Sequence, residues 1–125
     1  MNQHTISRIS ISLLAVVMIV FGIYHFMKPE NFANFVPAFL PGGNIWIYIV
    51  GAAFILAAIA FLTNKQVRLA GYLLAILLLI FVLTIHLPYC LHGGNDEARQ
   101  QSFINLLKDT AIAAFALHIA ANAKT

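Results

Sequence analysis

Charge is scarce in this sequence. Aspartate, glutamate, lysine and arginine make up 9% of its 125 residues, where a soluble domain carries about 25%. Hydrophobic residues make up 62%, and the mean hydropathy is +0.89. A soluble fold of this size could not hide so much apolar surface. Acid is scarcer than base, with four acidic against seven basic residues and a net charge of +3. The basic residues are scattered, so no patch points to nucleic acid. Cysteine is nearly absent. The single Cys90 excludes an internal disulfide and a CxxC redox motif, and any thiol chemistry would need a partner protein. There is no nucleophile elbow, phosphate loop, zinc spacing or catalytic triad. No repeat, low-complexity tract or linker divides the chain, so residues 1–125 read as one integral membrane domain.

What is present is apolar and long. Four runs cover roughly residues 9–27, 45–63, 69–87 and 102–121. Each is about the length needed to cross ~30 Å of hydrocarbon at ~1.5 Å per residue. The expected fold is therefore all-α, an integral membrane four-helix bundle in a lipid bilayer. The first run ends in Tyr24-His25-Phe26-Met27 with no small-x-small cleavage site, so it reads as a retained helix rather than a cleaved signal. Ser7, Ser10 and Ser12 suit the start of that helix. Arg8, Lys65, Arg68 and Lys124 bias the N-terminus, the second connection and the C-terminus to the cytoplasm. The first and third connections then share the outer face. Ala53 with Ala57, and Ala116 with Ala120, are small residues four apart that let helices approach closely in lipid. Trp46, Tyr48 and Tyr72 sit near helix ends, as interfacial anchors do.

The first connection, residues 28–43, is not an ordinary polar loop. Phe32, Phe35, Val36, Phe39 and Leu40 recur at helical spacing, Pro37 cuts the pattern and Pro41-Gly42-Gly43 turns the chain. These residues predict a short interfacial helix that lids the outer mouth of the bundle.

Polar residues inside the runs are the candidates for function. Lys108 and Asp109 interrupt the fourth run, and ionised residues within a membrane usually face the protein interior. Gln101, Asn105, Lys108 and Asp109 fall on one helix face by spacings of four, three and four. His25 and His86 lie at the outer ends of runs one and three, at the same expected depth, with the phenols of Tyr24 and Tyr89 nearby. Cys90, His92, Asp96 and Glu97 follow. Three meanings are open. The cluster could bind the head of a quinone or other lipid-soluble molecule through His25, His86, Asn105, Lys108, Asp109 and Tyr24, with Phe35 and Phe39 closing it. His25 and His86 could instead hold a metal or haem iron. Or the groups are boundary residues, with Lys108 snorkelling to headgroups. His118 lies deeper and stands apart.

The chain resembles the DoxX-like family of small four-helix bacterial membrane proteins. The resemblance runs from about Gly22 to Leu117. It rests on Gly22-Ile23-Tyr24-His25-Phe26 followed by Pro29, on Val36-Pro37-Ala38-Phe39-Leu40-Pro41, on Trp46-Ile47-Tyr48 leading into Gly51, and on Asn105-Leu106-Leu107-Lys108-Asp109. It implies a bacterial inner-membrane bundle with the Pro-bounded segment outside, and a link to thiosulfate:quinone oxidoreduction or other redox complexes. Relatives often carry a Glu three residues after the Gly matching Gly51, where this chain has Phe54. The expectation is a redox-linked membrane protein working with a redox partner. The alternative is a non-catalytic scaffold or assembly factor, alone or as a homo-oligomer.

Overall fold

The computed structural model describes residues 2–125 and is all-α. Four helical stretches are long and apolar enough to cross a membrane, which makes this a multi-pass membrane protein. The chain divides into two compact units, residues 1–70 with Thr125, and residues 71–124.

The first unit is a helix pair. Helix α1 spans Gln3–Met27, and helix α2 spans Ile45–Thr63. Asn2 starts α1 by accepting the Thr5 N–H on its side-chain oxygen at 2.8 Å, which satisfies one of the helix's open donors. Pro29 follows the end of α1, where a missing N–H and a fixed φ stop an α-helix. Asn64 ends α2 in the left-handed conformation, φ 57°, a region that asparagine tolerates better than most residues. The helices run antiparallel. Arg8 near the start of α1 donates to the Phe61 carbonyl near the end of α2 at 2.8 Å. Near the other ends, Gly22 lies against Gly51. A Cβ on Gly22 would fall 2.8 Å from the Gly51 carbonyl, and one on Gly51 would fall 2.8 Å from the His25 Cβ. The absence of side chains is what permits that crossing.

The connection between α1 and α2 is made of two three-residue 3-10 turns, Pro29–Asn31 and Ala33–Phe35. The longer run of helix that the Phe32-to-Leu40 spacing predicts stops at Phe35. Val36 is extended, φ −78° and ψ 122°, because Pro37 forces the residue before it out of the helical region. The apolar face is therefore broken. Phe32 turns inward, Phe35 is half-buried and Phe39 is 83% exposed. The connection is closed by Gly42 and Gly43 at φ +102° and +55°, and by the Trp46 indole N–H donating to the Pro41 carbonyl at 2.6 Å. Phe26 and Tyr48 stack with centroids 5.6 Å apart.

The second unit holds most of the third stretch and all of the fourth. Helix α3 spans Val67–Phe81 and begins at the end of the first unit. It passes into a π-helical turn, Val82–His86, then into α4, Leu87–His92, so helix runs unbroken from Val67 to His92. Pro88 does not end it. In an α-helix its ring would collide with the carbonyl four residues back. Here the Leu87 N–H reaches back to the Val82 carbonyl, and this wider turn admits the proline. Gly93-Gly94-Asn95 makes a short turn, and α5 spans Asp96–Asn122. Asn95 accepts the Ala98 N–H at 2.7 Å, while Asp96 and Glu97 place negative charge at the positive end of the helix. Arg99 clamps the turn, donating to the Gly93 carbonyl at 2.8 Å and pairing with Asp96. The fourth helix therefore starts at Asp96, within what the sequence suggests is loop. The small pair Ala116 and Ala120 does what its spacing predicts: a Cβ on Gly71 would lie 2.9 Å from the Ala116 carbonyl and 2.9 Å from the Ala120 Cβ.

These contacts make a direct prediction. Gly51→Val and Gly71→Val each force two backbones apart, and overpacking of this kind costs roughly 1–3 kcal/mol. Both variants will unfold at lower temperature than the wild type in detergent. Gly94→Ala, where an added Cβ meets nothing within 4 Å, will unfold like the wild type.

Candidate functional site

The buried line of α5 consists of Ser102, Asp109, Ala113, Ala116, Ile119 and Ala120. Two of its members are polar, and one is a carboxylate in the helix interior. Asp109 is 5% exposed. An ionised carboxylate taken out of water needs a partner. That partner is His86, itself 8% exposed, whose Nε2–H donates to Asp109 Oδ2 at 2.9 Å. The carboxylate only accepts, so the pair fixes the ring proton on Nε2. His86 is the last residue of the π-helical turn. Such widened turns occur often at functional sites, where they re-aim a side chain.

Lys108 completes the group from the edge. Its Nζ lies 3.6 Å from Asp109 Oδ1, with the side chain 42% exposed. Neighbours on a helix are about 100° apart, so Lys108 and Asp109 do not share one face. Asp109 turns in, and Lys108 stays at the margin, reaching across to the other oxygen of the same carboxylate. One oxygen thus meets an imidazole and the other an ammonium. Asn105 is half-buried one turn away, where its carbonyl oxygen accepts from the exposed Gln101 amide at 3.3 Å.

His25 belongs to the first unit and sits in an aromatic setting. Its Nδ1–H donates to the Phe21 carbonyl at 2.6 Å, its ring stacks on Phe32 at 4.0 Å, and Phe54 meets it edge-on at 5.3 Å. Phe54 of α2 therefore lies against this imidazole. Of the other expected residues in this unit, Tyr24 and Phe39 are exposed and Phe35 is half-buried. Among the described residues, no three His, Cys, Asp or Glu side chains gather as a metal-ligand set.

The sequence pointed to His25, His86, Asn105, Lys108 and Asp109 together, with Tyr24, Phe35 and Phe39 around them, and of these the structure joins His86, Lys108 and Asp109 directly. Ser102 was missed as a buried polar residue. Its signal was the seven-residue step to Asp109, which places both on one side of a helix.

No curated protein and no solved structure matches this chain. The family described as "Domain of unknown function (DUF8561)" matches residues 14–121, a span that includes His86, Lys108 and Asp109, and the chain belongs to that family.

Proposed function

We propose that this is a redox-linked bacterial inner-membrane protein that binds the polar head of a quinone-like or other lipid-soluble molecule at His86, Asp109, Lys108 and Asn105. The observation that carries the reading is the buried imidazole–carboxylate pair in a membrane-crossing segment. Intramembrane ionisable pairs are expensive to keep and commonly mark ligand sites or proton relays. An imidazole oriented by a carboxylate is a group that can pass a proton to or from a bound oxygen. The Lys108 ammonium, at the rim, offers a charged donor to a carbonyl oxygen. Reduction of a quinone also needs electrons, and these side chains move only protons. The electrons come from a partner protein or a bound redox group. The likeness to DoxX-like proteins, some linked to thiosulfate:quinone oxidoreduction, leans the same way. Both termini would face the cytoplasm.

The test is quinone binding by purified protein in detergent, read by thermal shift and by quenching of Trp46. Wild type binds a naphthoquinone or benzoquinone with an isoprenoid tail. Asp109→Asn keeps a hydrogen-bonding amide but removes the charge, and weakens binding about tenfold or more, the effect of losing a charge-assisted hydrogen bond. Lys108→Ala weakens it less. No saturable binding by wild type, or equal binding by all three proteins, overturns the reading.

A second reading, a scaffold or assembly factor, is favoured by Phe39. This large apolar side chain is 83% exposed in a connection outside the membrane-crossing helices. It expects a defined partner complex that survives Asp109→Asn and is lost on Phe39→Asp, measured by co-purification of the two tagged proteins.

A further inference from the structure

The first unit carries a second feature, unrelated to the His86–Asp109 pair. A shallow, open depression of about 330 Å³ lies along one face of α1, lined by Thr5, Arg8, Ile9, Ser12, Leu13 and Val16. The chemistry changes along it. One end offers the Arg8 guanidinium and the Thr5 hydroxyl, and Ile9, Leu13 and Val16 beyond it are apolar, with the Ser12 hydroxyl between them. Helix α1 has 25 residues, about 37 Å at ~1.5 Å each, longer than a hydrocarbon core of ~30 Å. Its first turns therefore reach headgroup level, with Ile9, Leu13 and Val16 descending toward the acyl chains.

The charged side chains that this unit carries near that polar end are basic. Arg8 is anchored by the Phe61 carbonyl at 2.8 Å, which uses one of the guanidinium's five donors. That bond places it beside the end of α2, where Lys65 follows and Arg68 opens α3. The unit's single acidic residue, Glu30, stands past the opposite end of α1. A fixed cation, a hydroxyl, neighbouring cations and an apolar channel below them match a phosphate group with a hydrocarbon chain attached.

We propose that this groove is a binding site for an anionic phospholipid, with the phosphate on Arg8 and Thr5 and one acyl chain along Ile9, Leu13 and Val16. A zwitterionic lipid fits the channel but gains less, because its own ammonium is repelled by the same cations. Free phosphate has the headgroup charge without the chain.

The experiment uses the full chain in neutral detergent. It is titrated with dioleoylphosphatidylglycerol or dioleoylphosphatidylcholine in mixed micelles, and with inorganic phosphate alone. Bound lipid is counted by native mass spectrometry, and stability is read by thermal unfolding. The wild type retains phosphatidylglycerol about tenfold more tightly than phosphatidylcholine, a difference of ~1.4 kcal/mol, and phosphate alone gives no shift. Arg8→Gln removes the preference, and Arg8→Lys keeps part of it. Equal retention of the two lipids by wild type, an unchanged preference in Arg8→Gln, or a shift reproduced by phosphate alone overturns the assignment. If Arg8→Gln fails to fold for want of its bond to Phe61, Leu13→Trp decides. It fills the channel and leaves every charge in place, so undiminished phosphatidylglycerol binding by Leu13→Trp overturns the assignment too.

Discussion

A carboxylate in the middle of a membrane-crossing helix has to be answered by another group. Asp109 is answered twice, by His86 through one oxygen and by Lys108 at 3.6 Å through the other. The rest of the second unit can be understood from that demand. His86 must arrive at the right depth and on the right side of its helix, and the π-helical turn Val82–His86 sets that side. The partner helix must come close, and Gly71 against Ala116 and Ala120 lets it. Removing either member of a buried pair strands the other, at a typical penalty of about 3–5 kcal/mol.

The first unit solves its packing by different means. Its helices meet at Gly22 and Gly51, backbone against backbone, and Arg8 ties the opposite end to the Phe61 carbonyl. His25 is held by a carbonyl and by the rings of Phe32 and Phe54. In that company the imidazole packs as an aromatic ring does. The two histidines thus sit in different company, His86 against a carboxylate and His25 against a carbonyl and two rings.

Much of this could be read from the chain alone, and the failures have identifiable causes. The membrane helices were legible because apolar run length maps directly onto bilayer thickness. Their ends were less so: Asp96 and Gln3 begin helices well outside the apolar runs, because capping by Asn95 and Asn2 is a polar signal that hydropathy ignores. The Phe32-to-Leu40 pattern suggested one helix, but Pro37 restricts Val36 and the backbone, not the apolar spacing, decides. Asp109 and Lys108 were singled out as charges in a run, yet which of two adjacent residues faces inward depends on the helix's rotation, and that is set by packing. The Gly22–Gly51 crossing carried no pattern beyond two isolated glycines in different helices.

The π-helical turn has a geometric consequence for the buried imidazole. Leu78, Val82 and His86 are all buried and stand four residues apart. On a regular α-helix each such step overshoots a full rotation by about 40°, and the line would wander around the cylinder. Underwinding at Val82–His86 cancels the drift and brings the ring back beneath its apolar predecessors. The azimuth of His86 is consequently written in backbone winding rather than in any polar atom. A deletion among residues 82–85 would swing the imidazole aside and leave Asp109 facing hydrocarbon, though every ionisable group in the chain was still there.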